Sequence, residues 1–163
     1  MKSDPQVLVA RYFGELLNAR DFSRAGEILT PDFVFFGPTE PAGLDQQGFE
    51  AFLVGLQKGF SDKHFTEVER LSLGDRWVSR FRMTGTHDGS FRGIPASGRR
   101  TDVEGCDIFY LRSGRIARVR AYFDLLALLL QIGASPPSSS QFPGSSISGS
   151  SSAASEASDS ALS

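Results

Sequence analysis

The chain carries one cysteine, Cys106, among 163 residues, so no disulfide can close within it. Its two histidines, His64 and His87, lack the clustered spacing with cysteine or acids that holds zinc, and no metal is expected. No G-x-G-x-x-G or phosphate-loop pattern occurs, which leaves nucleotide cofactors without support. No G-x-S-x-G elbow occurs either. Any chemistry is therefore expected to use side chains alone, with no cofactor. Long apolar runs are missing too. The longest, Leu125 to Leu130, is far too short to span a bilayer. The start, Met1-Lys2-Ser3-Asp4-Pro5, has no signal-peptide stretch. A cytoplasmic protein is expected, with no membrane partner. A basic excess is absent as well. Of 19 acids, Glu156 and Asp159 lie in the last 30 residues, which hold no Lys or Arg. That leaves 17 acids against 17 bases in the rest. Nucleic acid is thus not an expected partner.

What the chain has in excess is phenylalanine: 14 copies, against three Tyr and one Trp. Rings fill large volumes, either as a plain aromatic core or as the lining of a roomy pocket. Asp4-Pro5 reads as a helix start. Leu8, Val9, Tyr12, Phe13, Leu16 and Leu17 follow at helical spacing. A short second helix is predicted from Asp21 through Leu29, stopped by Thr30-Pro31-Asp32. A short strand, Phe33 to Phe36, comes next. A third helix carries Phe49, Phe52, Leu53, Leu56 and Phe60 on one face.

After residue 63 the period changes to two, predicting strands at about 64–73, 76–87, 101–111 and 115–123. Leu125 to Ile132 reads as a closing helix with Asp124 as its N-cap and Gly133 as its end. From Ala134 onward Ser, Pro, Gly and Ala dominate, so 134–163 reads as a disordered tail. The order implies an α+β domain over residues 1–133, a curved antiparallel sheet covered on one face by three N-terminal helices.

Alternation sorts the sheet into two faces. Trp77, Ser79, Phe81, Met83, Gly85 and His87 fall on one side, with Val103, Gly105, Asp107, Phe109, Ala121 and Phe123. Arg80, Arg82, Arg118 and Arg120 fall on the other with Asp102, Glu104, Cys106, Ile108, Tyr110 and Tyr122. That charged face with apolar members is expected to be solvated or to pair two copies as a homodimer. To keep the faces matched, a three-residue loop Arg112-Ser113-Gly114 is expected. It would set Asp107 opposite Val119 and Gly105 opposite Ala121.

The inner face is apolar except for Ser79, His87 and Asp107. A carboxylate among Phe and Val is costly, so the pKa of Asp107 should rise. Such groups are candidate acid–base catalysts; the alternative is an Asp hydrogen-bonded to a Tyr, a Trp or the backbone. His87, beside a Gly-rich loop, is expected to rim the pocket, whereas His64 reads as a surface residue. Trp77, Ser79, Phe81, Met83, Gly105, Phe109, Ala121 and Phe123 are the expected substrate-binding residues.

Gly85-Thr86-His87-Asp88-Gly89 and Phe91-Arg92-Gly93-Ile94-Pro95-Ala96-Ser97-Gly98-Arg99 resemble the SnoaL-like polyketide cyclase (ester cyclase) family. So do Gly105-Cys106-Asp107-Ile108-Phe109, Ser113-Gly114-Arg115-Ile116, Tyr122-Phe123-Asp124-Leu125-Leu126 and Leu130-Gln131-Ile132-Gly133. The resemblance covers about residues 5 to 133. It implies the cone-shaped fold of the nuclear transport factor two-like superfamily, a deep apolar pocket and a dimer. It also implies a cofactor-free intramolecular aldol step, in which a pocket Asp removes a proton beside a carbonyl.

That family's Asp position falls at Ala121, and its pocket Gln and His positions at Gly105 and Asp107. The chain is also similar to limonene epoxide hydrolases around Tyr122-Phe123-Asp124. Their Arg-x-Asp pair and later Asp would fall at Arg80, Arg82 and Ala121, without the acids. Three readings stay open. One is a cyclase, isomerase or hydrolase of a small hydrophobic carbonyl compound, with Asp107 as a relocated base and His87 as the other catalytic candidate. Another is a module that binds a small hydrophobic ligand without chemistry. The last is an interaction protein using the charged face.

Overall fold

The computed structural model describes residues 4–135, so the expected tail lies almost wholly outside the described residues. Asp4 opens helix α1 (Pro5–Arg11) by accepting the Gln6 amide at 2.8 Å. The helix then widens into a π-helical segment, Tyr12–Ala19. Tyr12, Phe13, Leu16 and Leu17 of that segment, apolar pairs four residues apart, are buried against the sheet. A single turn, α2 (Ala25–Ile28), follows.

Strand β1 runs from Leu29 to Phe36. Thr30-Pro31-Asp32 therefore does not stop a helix; it lies inside the strand, where the pairing register shifts between Leu29 and Val34. An edge strand with a register shift tolerates proline because that residue need not donate to the ladder. Helix α3 (Gln46–Gly59) begins at Asp45, whose side chain accepts the Gly48 amide at 2.8 Å.

Strands β2 (His64–Leu73), β3 (Arg76–Thr86), β4 (Arg100–Arg112) and β5 (Arg115–Phe123) form an antiparallel meander. The full order is β1-β5-β4-β3-β2. The expected all-antiparallel sheet needs correction: β1 pairs with β5 in parallel. A parallel pair needs a crossover, and everything from α3 to β4 supplies it.

The β4–β5 hairpin corrects the expected register. Its loop has two residues, Ser113 and Gly114, both with positive φ (53° and 72°), so Arg112 pairs with Arg115. This mirror-image turn matches the strand twist. By itself it would turn Arg120 inward. A bulge between Tyr110 and Leu111 on one side and Ile116 and Arg118 on the other absorbs one extra residue of β5. Beyond it Asp107 lies opposite Ala121 and Gly105 opposite Phe123. The two faces stay as sorted, but every pair beyond the bulge slides two residues from the expected register.

Helix α4 (Leu125–Ile132) is capped by Asp124, which accepts the Ala127 amide at 2.8 Å, and ends at Gly133 with φ 106°. Its Gln131 side chain clamps β4 by bonding both the amide (2.8 Å) and the carbonyl (2.9 Å) of Asp102. The core fills the space between helices and inner sheet face with rings. Tyr12 meets Phe109 edge-on at 5.1 Å and stacks with Phe49 at 5.9 Å. Tyr12, Phe33, Phe49, Phe60 and Phe109 are all almost fully buried. Each such side chain contributes roughly 1.5–3 kcal/mol of burial.

Candidate active site

The aromatic core does not close completely. A cavity of about 50 Å³ remains between the inner sheet face and the helices. Phe81, Met83, Asp107, Ala121 and Phe123 form its floor. Tyr12 and Leu17 from the π-helical segment and Phe49, Phe52 and Leu56 from α3 form its walls. Pro38, Thr39, Glu40, Phe91 and Arg92 stand at the rim. The space holds only a few waters. A ligand of drug-like size needs roughly 300 Å³ or more, so entry requires the rim or the rings to move.

Asp107 is the one carboxyl on the floor. It is 2% exposed, and its Oδ1 has no hydrogen-bond partner among the described residues. Burial raises its pKa from 3.8 to about 8. At neutral pH the group is therefore mostly protonated. Its charged form is a stronger base than an ordinary carboxylate, because the apolar surroundings disfavour the ion. Tyr12 is buried close by. Burial, and secondarily the charge of Asp107, raise its phenol well above 10, so its hydroxyl keeps its proton.

Of the expected site residues, Phe81, Met83, Asp107, Ala121 and Phe123 come together on this cavity. Phe109 is buried under Tyr12 in the core. Ser79 is fully buried and donates its hydroxyl to Glu67, which is paired with Arg70. A shift in the β2–β3 register between Glu67 and Glu69 accompanies the half-buried placement of Glu67. Trp77 lies under the guanidinium of Arg70, 5.7 Å from its ring centre, away from the cavity.

Gly105 does not line the cavity either. A Cβ there would meet Phe81 Cζ at 2.4 Å and Phe123 Cβ at 2.7 Å, so the glycine makes room for the two rings of the floor. His87 is wholly buried and packs at a tilt against Phe60, ring centres 5.3 Å apart. Its Nδ1 accepts the Ser97 amide at 3.2 Å and lies 3.0 Å from the Ser97 hydroxyl. Those bonds pin the loop that follows β3. Ser79, which pairs with Asp107, lies eight residues before His87. At about 3.3 Å per residue that is roughly 25 Å, so the structure does not bring His87 to Asp107.

The model of the SnoaL-like polyketide cyclases matches residues 7–132, most of the chain. The chain belongs to this family. Two similar proteins are aklanonic acid methyl ester cyclases. DauD of Streptomyces sp. (strain C5) is 26% identical over 132 residues, 79% of this chain and 82% of its own length. DnrD of Streptomyces peucetius is 27% identical over 132 residues, 78% of this chain and 90% of its own length. Among solved structures, a candidate SnoaL-like polyketide cyclase from Jannaschia sp. CCS1 is 31% identical. It superposes with a TM-score of 0.70 over 83% of this chain and 99% of that one. IdmH of Streptomyces antibioticus, a candidate polyketide cyclase, is 25% identical with a TM-score of 0.72 over 80% and 99%.

Within this SnoaL-like site, several residues escape a reading by alternation. Tyr12 falls on an apolar helical face and reads as core. Glu40 and Arg92 sit in loops. Gly93 suits the second, positive-φ centre of the tight turn between Phe91 and Ile94, but Arg92 at the first centre gives no such signal. Lys63 is buried, donates to the Leu17 carbonyl at 2.7 Å, and has its pKa lowered to about 8 by burial. It caps the end of the π-helical segment and does not line the cavity. Among the described residues no group of three His, Cys, Asp or Glu could hold a metal, and no helix is long and apolar enough to cross a membrane.

Proposed function

We propose that this SnoaL-like protein is an acid–base cyclase or isomerase of a small hydrophobic, polyketide-type carbonyl compound, working without a cofactor, with Asp107 as the base. One observation carries the reading: a lone carboxyl with a pKa near 8 on the floor of an apolar cavity. Asp107 lies directly opposite Ala121, the position that the family resemblance gives to the catalytic acid. Directly paired residues stand roughly 4.5–5.5 Å apart by Cα, so a carboxyl on either strand serves the same region. In the proposed step, ionised Asp107 removes a proton from carbon beside a carbonyl. The enolate carbon attacks a second carbonyl of the same molecule. The new alkoxide then takes the proton back from Asp107, so the product is an isomer of the substrate. The protonated Tyr12 hydroxyl is the nearby donor for the enolate oxygen.

A base that must ionise near 8 gives a kcat/KM that climbs with pH and levels off above about 8. Turnover of aromatic polyketide acids and their methyl esters by wild type, Asp107→Asn and Ala121→Asp tests the proposal. Asp107→Asn should drop to background, and Ala121→Asp should raise the rate at neutral pH. Undiminished activity in Asp107→Asn would remove the base. Ala121 also favours a second reading, a binding module without chemistry. Binding of apolar ligands with no turnover by wild type or either variant would establish that one.

A further inference from the structure

Arg92 is the cation at the rim of the cavity. It occupies the first centre of a tight turn in which Phe91 and Ile94 exchange backbone bonds of 3.0 and 2.9 Å. Its φ is 50° and that of Gly93 is 79°. A long side chain in left-handed backbone is uncommon. Here the turn aims the guanidinium across the opening. Arg92 Nη2 donates to Thr39 Oγ1 at 2.6 Å, and Thr39 Oγ1 donates in turn to Glu40 Oε1 at 2.6 Å. Arg92 thus contacts a neutral hydroxyl and joins none of the ion pairs among the described residues. A guanidinium has five N–H donors in a fixed fork, and one bond to Thr39 leaves most of them free. Behind it the cavity is apolar down to Asp107.

We infer that Arg92 reads a free carboxylate on the outer end of a ligand whose apolar body fills the cavity. The inference rests on the proposed reading of that cavity as the substrate site, and it adds the charge of the substrate's exposed end. Thr39 orients the fork, and the carboxylate takes the remaining N–H groups in a charge-assisted, two-point contact. Glu40 opposes any anion at the rim. It is bonded to the same hydroxyl as Arg92 and so stands beside the guanidinium, yet the two form no ion pair. A neutral ester lacks the charge and gains far less from the same fork.

Calorimetric titration of the full chain with 2-naphthoic acid and with methyl 2-naphthoate at pH 7 tests the inference. Wild type should bind the acid at least tenfold more tightly than the ester, and added salt should erode only the acid's advantage. Arg92→Gln should abolish the preference while leaving ester affinity within about twofold, and Arg92→Lys should keep part of it. Equal binding of acid and ester by wild type, or a preference that survives Arg92→Gln, overturns the inference and leaves the cavity reading standing. Failure of wild type to bind either compound overturns both.

Discussion

Burial of Asp107 works against the fold at neutral pH. In the unfolded chain this carboxyl ionises near its ordinary 3.8, and in the fold only near 8. Below 3.8 both states hold the proton and the group makes no difference. Between 3.8 and 8 the unfolded chain releases its proton and the native one does not, so stability falls as pH rises. Above 8 the loss is complete. Asparagine resembles the protonated acid in size and never ionises. Asp107→Asn should therefore raise the melting temperature at pH 8, by the equivalent of a few kcal/mol, and converge on wild type near pH 4. Thermal melts across that range check it. A variant that melts lower than wild type at every pH would mean that the carboxyl contributes to the native packing. If Asp107→Asn melts higher at pH 8, the carboxyl weakens the fold, and its place on the cavity floor then supports the proposed role as base.

At the scale of elements, the four strands of the meander and the closing helix were legible, because alternation and turn residues mark them directly. What alternation cannot reveal is how many residues a bulge hides. The choice between two- and three-residue loops at Ser113-Gly114 looked decisive for the faces. The bulge in β5 made the shorter loop compatible with them and moved Asp107 from Val119 to Ala121. Likewise Pro31 looked like a helix stop because nothing local signals an irregular parallel edge strand. Period assigned Phe81, Met83, Asp107, Ala121 and Phe123 to the face that floors the cavity, but it could not separate them from Trp77, Ser79, Gly105 and Phe109, which share that face and do not line the cavity. The rim, made of Thr39, Glu40 and Arg92 in two distant loops, was not legible, since only the folded chain brings those loops together. Long-range side-chain clamps were equally invisible. Gln131 makes two bonds to the backbone of Asp102. Gln131→Ala should cost about 1 kcal/mol in a denaturant titration. A change near zero would mean that water replaces both bonds.

At the scale of the molecule, the outer sheet face combines charge with uncovered rings. Arg80 bonds Glu69 and Glu104, and Arg82 bonds Asp102, while Tyr122 is 56% exposed and Cys106, Ile108 and Tyr110 are half-buried. A face bearing both signs can meet its own copy across a twofold axis. A homodimer through this face should appear by light scattering at micromolar concentration, and Tyr122→Glu should shift it toward monomer. A wild-type protein that stays monomeric would show that the face is simply solvated.

The parallel pairing of β1 with β5 also sets an order in time. Residues 29–36 are made early, yet their partner strand comprises residues 115–123. The meander β2–β5 closes through short hairpins and one longer loop, whereas β1 must wait for nearly the whole domain to be synthesised. Its Phe33 and Phe35, buried in the finished protein, stay without their sheet partner until then. Closing so long a loop is slow compared with zipping a hairpin. Pulse-labelled hydrogen exchange during refolding should protect the amides of β3 and β4 before those of β1. Simultaneous protection of all five strands would instead mean that the N-terminal helices deliver β1 to the sheet from the outset.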